Sequence, residues 1–300
     1  MNKWLKRMLA GAVAIGVIGA TGLATGAYLG DRKAQRVVPL QVAAVATPAD
    51  AASLQRGRYL FATRGCADCH GASGGGEVFI DGGGLFVKAP NISPGAGNVV
   101  SGYADEDWVR TIRHGVKPNG QPLFIMPSED YNRLTDADLG ALIAYVKQLP
   151  PQAGDAGVAR VPALVKTMYA AGLIRDAAEK IDHTLPPAQP VAEGVTPEHG
   201  AYVATMCVGC HGAKLSGGKI PGGPPDWPAA ANLTPGEGSA MGQYASAEQF
   251  AAMLRTGRRP DGSDISKVMP FASLREMNDT DAHALYVHLK SLAPVALGER

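Results

Sequence analysis

The sequence predicts an all-α chain of two tandem, similar domains behind an N-terminal transmembrane helix. Three observations carry this reading. A 22-residue run near the N-terminus has no charge, the chain resembles itself at a spacing of 141 residues, and no stretch sustains two-residue alternation of apolar and polar side chains. In 300 residues of formal net charge +1, with 18% charged residues, nothing favours a nucleic-acid partner. The 38 Gly and 22 Pro argue against a coiled coil or a large β core and for short helices joined by loops.

The uncharged run is Met8 to Leu29, between Lys3, Lys6 and Arg7 on one side and Asp31, Arg32, Lys33 and Arg36 on the other. It is long enough to span a bilayer. Small residues recur in it, with Gly22 and Gly26 forming a step that lets another transmembrane helix approach closely. A cleaved export signal is the alternative, since a basic start and Thr25-Gly26-Ala27 also fit that pattern. Basic residues at both ends leave the orientation open. Residues 31–51, with Pro39 and Pro48, read as an extended, mobile tether.

The self-similarity begins at Cys66-Ala-Asp-Cys69-His70-Gly71, which returns as Cys207-Val-Gly-Cys210-His211-Gly212. Asn91-Ile-Ser-Pro94 matches Asn232-Leu-Thr-Pro235, Tyr103 matches Tyr244, and Trp108 to Gly115 matches Phe250 to Gly257. Met126-Pro127 matches Met269-Pro270, and Gly57-Arg-Tyr59 matches Gly200-Ala-Tyr202. The resulting division is an anchor at 1–30, a linker at 31–51, a first domain at 52–151, a connector at 152–194, a second domain at 195–294 and a tail at 295–300. Thr196-Pro197, Ser246 and Thr135 with Asp138 mark helix starts. In the connector, Val161 to Lys180 reads as one amphipathic helix packed as a spacer on one domain.

C-x-x-C-H is the attachment signature of haem c, and on one helical turn the two Cys and the His face the same way. Cys66, Cys69, Cys207 and Cys210 are therefore the expected thioether positions of two covalently bound haem c groups, with His70 and His211 as axial ligands. Met126 and Met269, matched in the repeat and carried on turn-rich segments, are the expected second axial ligands. Met168, Met206, Met241, Met253 and Met277 read as core filling. Two disulfides, a zinc site or a redox-active C-x-x-C also use four Cys. Zinc ribbons space their pairs by tens of residues, however, and no βαβ unit surrounds either pair here. His114, His183, His199, His283 and His288 read as surface or interface positions, and Arg113 or Arg255 as weak candidates for a propionate contact.

With these motifs in this order, each repeat resembles a class I cytochrome c domain. The chain is similar to the cytochrome c subunits of bacterial membrane-associated dehydrogenases. The resemblance implies a protein without substrate chemistry of its own that passes single electrons. The donor would be a catalytic dehydrogenase subunit (quinoprotein, flavoprotein or molybdenum-dependent) and the acceptor a respiratory component such as quinone, another cytochrome or a terminal oxidase. It also implies a single-pass protein of the bacterial cytoplasmic membrane with the haem domains on the periplasmic side. The chain departs from the best-known alcohol and gluconate dehydrogenase subunits in carrying two haem motifs rather than three. A dihaem peroxidase and a dihaem subunit of a terminal oxidase are the alternatives. The matched Met-Pro segments weigh against the first, the 141-residue separation against the second.

Overall fold

The computed structural model describes residues 2–224 and 226–299, so Met1 of the anchor and Arg300 of the tail lie outside the described residues. Helix α1, Lys3–Ala34, has a window of mean hydropathy 1.8 and is exposed along nearly its whole length. At ~1.5 Å per residue its 32 residues exceed the roughly 30 Å hydrocarbon thickness of a bilayer.

The first half of the remaining chain contains α2 (Ala51–Thr63), α3 (Cys66–His70), the hairpin β1 (Val78–Gly82) and β2 (Leu85–Lys88), α4 (Asp105–His114), α5 (Ser128–Tyr131) and α6 (Asp136–Lys147). The connector supplies β3 (Val158–Arg160), α7 (Ala163–Ala170) and α8 (Ala177–Lys180). The second half contains α9 (Pro197–Ala204), α10 (Val208–His211), α11 (Ala247–Thr256), α12 (Phe271–Leu274) and α13 (Asp279–Ser291). The helix starts expected at Thr135, Thr196 and Ser246 are real caps: each side chain accepts the backbone N–H three residues on.

Two hydrophobic cores form. One gathers Leu60, Phe61, Val109, Leu134, Leu139, Leu142 and Ile143; the other gathers Val203, Phe250, Leu254, Leu274, Leu285 and Leu289. Each is closed by a helix crossing at a glycine. A Cβ at Gly57 would lie 2.0 Å from the Ala141 carbonyl oxygen, and one at Gly200 would lie 2.0 Å from that of Ala284. The chain thus uses the repeat's Gly-x-Tyr match to bring α2 onto α6 and α9 onto α13 at backbone contact.

Four expectations need correction. The chain is mostly helical rather than all-α, because β1, β2 and β3 form an antiparallel sheet in that order. Its strands are three to five residues long, too short to display alternation, and the β1–β2 hairpin turns at Gly83 and Gly84, both with positive φ. The connector holds two short helices rather than one, broken at Gly172 with φ +75°. The segment expected to be a mobile tether is packed: α1 continues to Ala34, the Val38 N–H donates to the Gly120 carbonyl at 2.9 Å, and Val42 and Val45 lie against the first core. Finally, of the Gly22–Gly26 step, Gly22 meets nothing within 4 Å but Gly26 is taken up by the chain itself. A Cβ there would lie 2.4 Å from Thr167 Cγ2, and one at Gly30 would lie 2.3 Å from the Lys166 oxygen, so this end of α1 packs on α7.

The connector is also clasped to the first half by two imidazoles, His114 Nδ1 and His183 Nδ1 at 3.1 Å, with His183 Nε2 3.1 Å from the Ala178 carbonyl. A carbonyl only accepts, so His183 carries its proton on Nε2 and accepts from His114 at Nδ1. Burial, then the neighbouring His183, Arg113 and Arg110, push the His114 pKa down to about 4.

Two outcomes follow from this packing. Gly57→Ala forces α2 and α6 apart and is expected to cost about 1–3 kcal/mol, read by denaturant unfolding. The His114 shift makes the unfolded chain the better proton binder between its ordinary pKa of 6.5 and about 4, so stability rises with pH across that window. Acidification from pH 7 to 4.5 should remove on the order of 1–2 kcal/mol through this group. His114→Gln should flatten that part of the stability–pH curve relative to wild type; an identical slope would assign the titration to other groups.

Candidate functional site

Each C-x-x-C-H segment is a short helical turn ended by a glycine, and the first also begins at one. Gly65 (φ +76°) admits α3 and Gly71 (φ +72°) ends it, while Gly212 (φ +82°) ends α10. The four cysteines are half-buried. Burial pushes the Cys66 and Cys207 thiols up to about 12 and Cys69 to about 11, so they are protonated thiols in an apolar wall. A nucleophilic or redox-active C-x-x-C requires the opposite shift. Among the described residues no three of His, Cys, Asp and Glu converge as a metal-holding group, so the two pairs do not assemble one zinc site.

The histidines are oriented in the same way in both motifs. His70 Nδ1 lies 2.9 Å from the Pro90 carbonyl oxygen and His211 Nδ1 lies 2.8 Å from that of Ala231. Each Nδ1 therefore carries the proton and each Nε2 keeps its lone pair, the tautomer an axial ligand needs. Burial lowers the His70 pKa below its ordinary value and favours the neutral ring. These carbonyls were not legible in the sequence, because an acceptor on the backbone has no residue type.

The Asn-x-Ser/Thr-Pro match explains how the carbonyls are placed. Asn91 Oδ1 accepts from the Ser93 N–H at 2.8 Å and hydroxyl at 2.7 Å, while its Nδ2 donates to the Gln152 carbonyl at 2.9 Å. Asn232 does the same with Thr234, at 2.9 and 2.8 Å, and with the Val295 carbonyl at 2.8 Å. Both asparagines are essentially buried, so each fixes the backbone directly after the carbonyl that holds its histidine.

Met126 and Met269 each follow a small hairpin within four residues. In the first, Lys117 N–H donates to Gln121 at 2.8 Å and Leu123 N–H to Gly115 at 2.7 Å; in the second, Arg259 donates to Ser263 at 2.9 Å and Ile265 to Gly257 at 2.8 Å. Met126 packs against the first core together with Cys66, and Met269 against the second together with Cys207. Met241, Met253 and Met277 are buried core residues, as expected. Arg113 pairs with Asp136 at 2.8 Å and keeps a buried Nε without a partner, and Arg255 pairs with Asp279 at the surface.

A cavity of about 570 Å³ opens between Ile92, Pro94, Gly97, Tyr103, Trp108 and Val146, beside the core that Cys66 and Met126 pack on. It is apolar on most of its wall, with Tyr103 and Trp108 edge-on at 5.3 Å. Tyr244 and Phe250 repeat that edge-on pair at 5.5 Å. Two thiols and an imidazole on each motif turn, with a thioether packed on the same core, are donors of the kind a covalent haem takes, although none of Cys66, Cys69, His70 and Met126 lines the cavity itself.

The two motif turns also meet across one interface through reciprocal contacts. The Tyr59 hydroxyl donates to Asp281 Oδ2 at 2.7 Å, and that of Tyr202 donates to Asp138 Oδ2 at 2.6 Å. The Asn278 N–H reaches the Tyr59 oxygen at 3.2 Å as the Thr135 N–H reaches that of Tyr202 at 3.3 Å. Within the motifs, the Gly209 N–H donates to Asp130 Oδ1 at 3.1 Å, and Ser273 donates to Asp68. Buried beside Glu129, the Asp130 carboxyl is pushed up to about 7. Removing one tyrosine hydroxyl leaves a buried carboxylate short of a donor, a loss of about 1–3 kcal/mol. Tyr59→Phe with Tyr202→Phe should split a single calorimetric unfolding transition into two; one unchanged transition would show that other contacts hold the halves together.

Residues 54–150 match the Cytochrome c family. The chain is similar to the fructose dehydrogenase cytochrome subunit of Gluconobacter japonicus, 36% identical over 110 residues that cover 33% of this chain and 22% of that one. It is 35% identical over 105 residues to the gluconate 2-dehydrogenase cytochrome c subunit of Pantoea cypripedii, covering 32% and 23%. It is 27% identical over 278 residues to the cytochrome c subunit of the quinone-linked alcohol dehydrogenase of Gluconacetobacter polyoxogenes, covering 82% of this chain and 57% of that one. The chain therefore spans little more than half the length of the alcohol dehydrogenase subunit and under a quarter of the other two.

Proposed function

Because the chain carries a cytochrome c domain at 54–150 and is homologous to cytochrome c subunits of fructose, gluconate and alcohol dehydrogenases, we propose that it is a membrane-anchored dihaem cytochrome. It would carry single electrons from a catalytic dehydrogenase subunit to a respiratory acceptor, on the periplasmic side of a bacterial cytoplasmic membrane. The observation that carries the reading is the repetition of one ligand-orienting geometry, the Nδ1–carbonyl bond at His70 and again at His211.

Cys66 and Cys69, and Cys207 and Cys210, would hold haem c covalently, His70 with Met126 and His211 with Met269 would ligate its iron, and the group would supply the one-electron chemistry. The protein's own contribution is orientation and exclusion of water. The Pro90 and Ala231 carbonyls hold the imidazoles, the hairpins deliver soft thioethers that favour the reduced metal, and the aromatic pairs keep the site dry. Two delivered thioethers leave no ligand position for peroxide, which supports a carrier rather than an enzyme. Retention of α1 as an anchor is supported by the close packing of Gly26 and Gly30 on α7, which cleavage near residue 27 would dismantle.

Quantifying haem in the purified, membrane-extracted protein should give two per chain, and Cys207→Ser with Cys210→Ser should give one. Met126→Leu or Met269→Leu should each lower one midpoint potential, by on the order of 0.1–0.3 V within the roughly 0.8 V range that axial ligands command. A wild-type protein with one haem, or with a high-spin iron that reacts with peroxide, would overturn the reading.

A further inference from the structure

We propose that the connector helix α7, with the turn that follows it to Leu173, lies in the outer headgroup–acyl boundary of the bilayer, strapped alongside α1. This rests on α1 being a retained anchor. The argument is one of depth. The uncharged run of α1 ends at Leu29, and its 22 residues span ~33 Å, about one hydrocarbon thickness. Yet α7 reaches past that end: the Thr167 hydroxyl, which donates to the Ala163 carbonyl at 2.8 Å, lies 3.3 Å from the Leu23 carbonyl, six residues or ~9 Å inside the run. Any segment touching α1 at Leu23 sits below the headgroups once α1 spans.

The side chains match that depth. From Val161 to Ile174 only Lys166 carries a charge, and Lys166 reaches back to Asp31 at 2.8 Å. Leu164 is 62% exposed and Leu173 72%, surfaces that an aqueous setting leaves unburied and the acyl boundary covers. On the same end of α1, Tyr28 and Leu29 are also exposed. The charged layer lies where headgroups begin: Asp31–Lys166, Lys33–Glu179 at 2.9 Å and Arg36–Asp176 at 2.6 Å.

The test uses the full-length haem-loaded protein in vesicles of phosphatidylethanolamine and phosphatidylglycerol, spin-labelled one site at a time at Leu164→Cys and Leu173→Cys. Val17→Cys reports the anchor and Glu237→Cys reports water. The strap is expected to make labels at 164 and 173 several-fold more accessible to oxygen than to an aqueous nickel chelate, as at 17 and opposite to 237. Access to the chelate at 164 and 173, with 17 still in oxygen-rich lipid, overturns the strap and leaves the anchor intact. Shielding of 164 and 173 from both reagents overturns it in favour of a protein cover. If 17 itself is in water, or the mature chain begins after Gly26, the anchor reading fails and the strap with it.

Discussion

Two buried carboxylates hold the molecule's halves in register, and most of the remaining geometry depends on them. Asp138 receives Arg56 from its own half through two bonds of 2.8 Å and Tyr202 from the other half. Asp281 receives His199 from its own half at 2.7 Å and Tyr59 from the other. A buried charge is tolerable only when fully partnered. Burial alone would raise the Asp138 pKa, but Arg56 and Tyr202 hold it below the ordinary carboxylate value. Each carboxylate thus ties the crossing of helices within one half to the docking of the other half. The partners are not identical: Arg56 meets Asp138 through two bonds, while His199, at the matching place in the repeat, meets Asp281 through one.

This arrangement decides what the two motif turns can do together. Gly209 of the second motif donates to Asp130 of the first half, and Ser273 of the second half donates to Asp68 within the first motif. Both turns therefore border one protein interface instead of facing away into solvent. A protein that relays single electrons gains from such proximity, and the hydrogen bonds that create it involve residues outside the C-x-x-C-H signatures themselves.

The sequence made the candidate ligands legible and the connections illegible, for physical reasons visible residue by residue. Cysteine, histidine and methionine at fixed spacing announce themselves, and Thr135, Thr196 and Ser246 cap helices through contacts three residues away. What could not be read were features whose cause lies far along the chain. The Pro90 and Ala231 carbonyls act through backbone that any residue supplies. The β1–β2–β3 sheet consists of strands too short for periodicity and is completed by a strand some seventy residues from β2. Val161–Lys180 carries a helical pattern, yet Gly172 in a left-handed conformation interrupts it. The Gly57 and Gly200 match was visible, but its meaning, a carbonyl of the facing helix 2.0 Å from a would-be Cβ, belongs to the packed state.

The same distinction explains why the linker was misjudged. Composition alone describes residues 31–51 as loose chain, but a chain is loose only where nothing competes with its entropy. Here a continuous series of contacts runs from α1 to a proposed ligand. Arg36 reaches the Tyr169 hydroxyl at 2.8 Å, the Tyr169 ring meets Phe124 edge-on at 5.0 Å, and the Ala177 N–H donates to the Leu123 carbonyl at 3.0 Å. Leu123 and Phe124 lie on the segment that delivers Met126. The first half is therefore positioned against α1 by packed side chains, and with α1 spanning a bilayer as proposed, its distance from that surface would be set by the fold instead of averaged over a flexible tether.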